Sequence, residues 1–139
     1  MFGKILHAND GSKSAVRALS LALAIAKQNQ SELHTVCVEE IPYLPEFMEE
    51  VRDSSGATAR RIHAVLQRAS AMAEEQNLKI QTHVLRGHPV RDIVKLAADL
   101  GVDLLVIGAV GHSALYERMI GSQANRIMQL APCPVLVVK

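Results

Sequence analysis

The 139-residue chain has no tryptophan, and aromatic residues make up only 3% of it. Val, Ile, Leu, Met and Ala must therefore fill its core, and a hydrophobic content of 49% supplies enough of them. Cysteine is scarce too: Cys37 and Cys133 are too few for a disulfide framework and neither lies in a C-x-x-C motif. We read both as reduced residues of a cytoplasmic protein. Charge of either sign is nearly balanced at a formal +1, which removes any general pull towards nucleic acid or anionic membrane. No apolar run approaches the ~20 residues of a membrane-spanning helix. The stretch Met1 to His7 lacks the apolar segment of a signal peptide. The expectation is a soluble protein with neither a nucleic-acid nor a membrane partner.

Several enzyme signatures are missing as well. There is no G-x4-G-K-[ST] phosphate loop, no G-x-S-x-G elbow and no Cys–His signature of a nucleophilic enzyme. His7, His34, His63, His83 and His88 are scattered, with no pair at metal-ligand spacing on one helix. They read as structural or surface residues, and no catalytic residue is assigned.

What is present is a regular alternation. Lys4 to Ala8 reads as a strand, and Asn9-Asp10-Gly11-Ser12 as a turn with Ser12 or Ser14 capping a helix from Ser14 to Gln28. A strand over Glu32 to Val38, an irregular connection over Glu39 to Ser55 and a long helix over Ala57 to Gln76 follow. On that helix Ile62, Val65, Leu66, Ala69 and Met72 form the apolar face, while Arg60, Arg61 and Arg68 suit a solvated one. Leu78 to Leu85 is a third strand. Pro89 then opens a helix that Gly101 ends. Val102 to Ile107 is a fourth strand, Gln123 to Leu130 a last helix, and Val135 to Val138 a fifth strand after Ala131-Pro132-Cys133-Pro134. At this length one domain over residues 1–139 buries roughly two-thirds of its unfolded surface.

Alternation of this kind requires crossover connections. It predicts an α/β fold with an open five-stranded parallel sheet and helices on both faces. Ligands of such sheets sit beyond the carboxyl ends of the strands, at a topological switch point. With strand order 3-2-1-4-5, Asp10 and the stretch Gly108 to Ser122 share one cleft. That stretch is a glycine-punctuated loop leading from a strand into a helix, where unpaired N–H groups attract phosphate. Gly108 and Gly111 let backbone approach a ligand, and Gly121 and Ser122 sit where an N-cap belongs. The same glycines also suit a plain turn in which Ser122 only caps its helix.

With these residues in place, the whole chain resembles a universal stress protein domain. The resemblance runs through Asp10-Gly11-Ser12, Gly87-His88-Pro89, Val102 to Gly108 and the closing Ala131 to Val138. Its most specific part is Gly108-x2-Gly111-x9-Gly121-Ser122, which matches the G-2x-G-9x-G-(S/T) motif of the ATP-binding branch. The resemblance implies a Rossmann-like fold of the adenine-nucleotide α-hydrolase type that binds ATP or another adenine nucleotide with Mg. Gly108, Gly111, Gly121 and Ser122 would hold phosphates and ribose, with His112 and Arg118 as nearby cations. Ile107 leads into that loop. Ala8, Asn9 and Asp10 would lie beside the nucleoside, and the backbone of Cys37 would meet adenine. Asp10 would bond ribose or hold the nucleotide's Mg, the other reading being a turn residue bonded to nearby N–H groups.

Members of this family commonly form homodimers through the last strand, here Val135 to Val138, an apolar edge otherwise exposed. Three positions depart from the family pattern: Ala8 stands where Pro is frequent, and Gln123 and Ala124 follow the Gly-Ser pair. Loss of a side-chain donor at Ala124 is worth about 1 kcal/mol of phosphate binding, which Gln123 is placed to compensate. The expected function is that of a nucleotide-responsive regulator in the stress response, acting on an unidentified protein partner. The alternatives are a dimeric scaffold independent of ATP and a slow ATPase in which Asp10 positions metal and water.

Overall fold

Parallel pairing through crossovers governs the architecture. The computed structural model describes residues 1–41, 56–110 and 119–139. Along these run β1 (Lys4–Ala8), α1 (Lys13–Asn29), β2 (Glu32–Glu40), α2 (Gly56–Glu75), β3 (Ile80–Gly87), α3 (Pro89–Leu100), β4 (Leu104–Gly108), α4 (Ser122–Leu130) and β5 (Val135–Val138). The strands form one parallel sheet in the order β3-β2-β1-β4-β5. Leu6 on the central strand stands between His34 and Leu105, so the chain reverses its direction of growth at β1. Loops leaving β1 and β4 therefore lie side by side, as the alternation predicts.

Strand parity divides the core in two. Ile5, Leu33, Leu104 and Val106 pack against Ala18, Leu19, Ala22 and Leu23 of α1 and against Ala69 and Ala73 of α2. Leu6, Val36, Leu105 and Ile107 point the other way, onto Ile93 and Ala97 of α3 and Ala124 and Ile127 of α4. The alanines of α1 let that helix lie close to the sheet, which compensates for the shortage of aromatic volume. Among the described residues no helix is long and apolar enough to cross a membrane.

Local chemistry sets the boundaries, and several differ from those expected. The Ser12 side chain accepts from Ala15 N–H and so caps α1, while Gln30 in the left-handed region closes it. The third strand starts at Ile80 rather than Leu78, because Leu78 N–H bonds back to Ala73 O and belongs to the end of α2. Gly101, at φ 67°, ends α3 by donating to Ala97 and Ala98. Ser122 does not cap α4. The cap is Gly121, extended and without a side-chain bond, and Ser122 is the first helical residue. Of the connection expected over Glu39 to Ser55, Glu39 and Glu40 prolong β2, and residues 42–55 lie outside the described part.

At the far edge, Leu105 N–H donates to Pro134 O and Ala109 N–H to Val138 O. The even-numbered residues of β5 thus face β4, and Val135 and Val137 turn their backbone N–H groups to the free edge.

Candidate functional site

Where the chain leaves β1, three short bonds shape the turn. Asn9 N–H donates to Val36 O at 2.8 Å and extends the ladder by one residue. Gly11 N–H then donates to Asn9 Oδ1 at 3.0 Å and Ser12 N–H to Asp10 Oδ1 at 2.9 Å. Gly11 has φ 79°, a left-handed conformation that suits glycine. Two consecutive Asx bonds thereby fix where the Asn9 and Asp10 side chains stand.

The loop leaving β4 is tied to the same turn. Ser14 Oγ donates to Val110 O and accepts from Val110 N–H, and Ser12 Oγ also donates to Val110 O at 3.4 Å. Gly121 N–H donates to Ala109 O at 2.6 Å, which brings the start of α4 back to the end of β4. Gly108 is glycine for a packing reason: an added Cβ would lie 2.4 Å from Ser14 Oγ and 2.8 Å from Ala15 N. The close approach is to the first turn of α1, which by itself requires glycine here.

Between these loops opens a cavity of about 490 Å³. Val36, Val38, Ile93, Ile107 and Ile127 give it apolar walls. Asn9, Asp10, Ser12, Glu40, Arg61 and Gln123 supply the polar side chains. Of the residues expected from the sequence, Ala8, Asn9, Asp10, Cys37, Ile107, Gly108, Gln123 and Ala124 line it together. Gly121 and Ser122 stand at the head of α4 and are not among its lining residues. Gly111, His112 and Arg118 lie outside the described residues.

Two helices begin at this cavity, α1 behind Ser12 and α4 behind Gly121. Neither carries an acidic residue in its first turn; Ser12 Oγ and the Asp10 carboxylate meet N–H groups at the start of α1, whereas α4 begins without a side-chain cap. Arg61 adds a cation from α2, with Nη1 3.5 Å from Asp10 O. Cys37 is buried, and burial pushes its thiol pKa up, so it lines the cavity as a neutral, unreactive group.

Beneath the site His7 is fully buried. Its Nε2 lies 2.8 Å from Ala15 O, an atom that only accepts, so the ring carries its proton there and takes the Thr35 hydroxyl proton at Nδ1, 2.9 Å away. Burial lowers its pKa to about 4 despite that backbone bond. A second pair, His34 and His83, lies across β2 and β3 with Nδ1 and Nε2 2.9 Å apart, and Glu32 bonds the other nitrogen of His34 at 3.1 Å. Among the described residues no three His, Cys, Asp or Glu groups converge as a metal site.

Arg61 is the functional candidate that periodicity misses. A helical wheel places it with Arg60 and Arg68 on the solvated side, yet it adjoins buried Ile62 and sits at the rim of the stripe facing the strand ends. Arg68, seven residues on, repeats that position two turns along. Ser12 and Glu40 are further additions, and the place of Ser12 in the turn after β1 was the available signal for it.

Comparison with known proteins agrees with this geometry. The Universal stress protein family model matches residues 1–139. The chain is 35% identical to Universal stress protein YxiE of Bacillus subtilis, with 100% of each chain covered. The solved structure of universal stress protein UspA from Lactobacillus plantarum superposes with a TM-score of 0.85 at 27% identity, covering 99% of this chain and 98% of that one. A universal stress protein solved in complex with cAMP matches at a TM-score of 0.76 and 27% identity, over 99% of this chain and 97% of that one.

Proposed function

The chain belongs to the universal stress protein family, and from that premise we propose that its cleft binds an adenine nucleotide, ATP with Mg foremost, and that the bound nucleotide regulates a protein partner in the cytoplasm. One observation carries the reading. The cavity is apolar along its walls and rimmed by the starts of two helices and by Arg61. An adenine ring suits the wall of Val36, Val38 and Ile107, and phosphate suits the N–H groups at the head of α4. About 490 Å³ lies within the ~300–1,000 Å³ of sites that enclose small ligands. The cAMP complex of a related protein supports the adenine class. Asp10, whose Oδ1 is held by Ser12 N–H, is the carboxylate placed to help hold Mg or ribose. Gly111, His112, Gly121 and Ser122 are assigned to the phosphates on their match to the family motif.

A second copy would pair through β5, whose outward N–H groups at Val135 and Val137 offer a free parallel-sheet edge. The alternative of an ATP-independent scaffold draws on Ala124, which is buried against the core and offers phosphate only its backbone N–H.

Calorimetric titration of nucleotide-stripped protein with Mg-ATP tests the proposal, beside Gln123→Glu and Gly121→Val variants. Gln123→Glu sets a negative charge at the head of α4 and leaves the exposed position otherwise intact. In Gly121→Val the new Cβ would stand 3.3 Å from Ala109 O. Micromolar binding that weakens more than tenfold in folded Gln123→Glu supports nucleotide regulation. No binding at millimolar ATP overturns it in favour of the scaffold.

A further inference from the structure

A second, smaller cavity lies on the other side of the β1 turn, between α1 and α2. It measures about 180 Å³, and Val16, Leu19, Val65, Ala69 and Met72 form its apolar body. That exceeds the ~150 Å³ engineered apolar cavity known to take benzene. Asn9, Gly11 and Arg68 supply its polar edge.

Asn9 is the observation that calls for a ligand. The residue is only 6% exposed and follows His7 by two positions, so its side chain falls on the face of the sheet where His7 meets α1. Gly11 N–H donates to its Oδ1, which fixes the orientation of the amide and leaves Nδ2 as the inner donor. Among the described residues Nδ2 makes no hydrogen bond. A buried donor without an acceptor is costly, and one that borders a cavity is satisfied by what fills that cavity. Arg68 stands at the rim, exposed, with no carboxylate at ion-pair distance among the described residues.

We propose that this cavity binds a small apolar monocarboxylate, its aliphatic or aromatic body against Leu19, Val65 and Met72 and its carboxylate shared between Asn9 Nδ2 and the Arg68 guanidinium. Anionic charge answers the unpaired cation, and a carboxylate oxygen answers the unpaired amide. Water would satisfy Asn9 but would leave the apolar walls facing solvent. The proposal stands independently of what fills the larger cleft. Asn9 borders both cavities.

The test titrates the full, nucleotide-free chain with benzoate and with isovalerate, followed by NMR at the Met72 methyl and the Asn9 side-chain amide. Toluene serves as the neutral control. The expected result is saturable shifts at both groups with either acid, weakened about fivefold in Arg68→Gln and more than tenfold in Asn9→Asp. Asn9→Asp keeps the acceptor for Gly11 N–H while replacing the donor by a like charge, so the turn is retained. Absence of saturable shifts overturns the proposal. So does toluene binding as tightly as the acids, or equal binding to both variants.

Discussion

Ser14 Oγ donates to Val110 O and accepts from Val110 N–H, so one buried hydroxyl joins the first turn of α1 to the loop leaving β4. This contact holds the two halves of the cleft in register. Ser14→Ala removes both bonds without altering the helix. It is expected to lower stability by about 1–2 kcal/mol in urea unfolding, because Val110 N–H loses its bond and Val110 O keeps only the longer one from Ser12.

Gly108→Ala acts on the same junction through space rather than hydrogen bonding. The added Cβ meets backbone as well as the hydroxyl, with Ala15 N and Ser14 C both at 2.8 Å. A cost of about 3 kcal/mol is expected. The double variant with Ser14→Ala should not recover stability, since the backbone clash remains. Recovery in denaturant melts would mean that only the hydroxyl stands in the way.

His7 sets an acid limit on the fold. Its pKa is lowered to about 4 in the folded state from 6.5, so the unfolded chain takes up the proton first. The contribution is complete above about pH 6.5 and is lost as pH falls to about 4, a change on the order of 3 kcal/mol. His83, also lowered by burial, acts in the same direction. Urea midpoints between pH 7 and 4 should fall steeply for the natural chain and less so for His7→Gln.

Arg61→Gln separates nucleotide binding from folding. Arg61 is exposed on α2, so thermal stability should change little. Affinity for Mg-ATP should drop about fivefold, the equivalent of about 1 kcal/mol for a solvent-screened contact. An unchanged affinity would remove Arg61 from the nucleotide site.

Val137→Pro addresses the proposed dimer. Its N–H points to the free edge, so proline deletes a donor that β4 does not use. Light scattering should report monomers for this variant and dimers for the natural chain.

Much of this was legible in the sequence. Alternating apolar runs and helical stripes specify the order of elements, and Asp10 and Gly108 stand at the two strand ends that a switch at β1 brings together. What periodicity conveys is a face, not a neighbour. Arg61 is solvated, as expected, and the pattern alone does not show that its rim of α2 also meets the strand ends. Gly108 shows the same limit: glycine announces a close approach without saying to what, and the answer is the start of α1. Leu78 read as strand because it is apolar, while a backbone bond to Ala73 commits it to the end of α2.

The tautomer of His7 bears on how the sequence can drift. Ala15 O demands a proton from one ring nitrogen, so the other must receive one from Thr35. An apolar residue at position 7 strands the threonine hydroxyl, and one at position 35 strands an imidazole nitrogen. A matched apolar pair strands neither side chain. Positions 7 and 35 are thus bound in one epistatic unit: each forbids the other's first step, and substitution there proceeds in pairs.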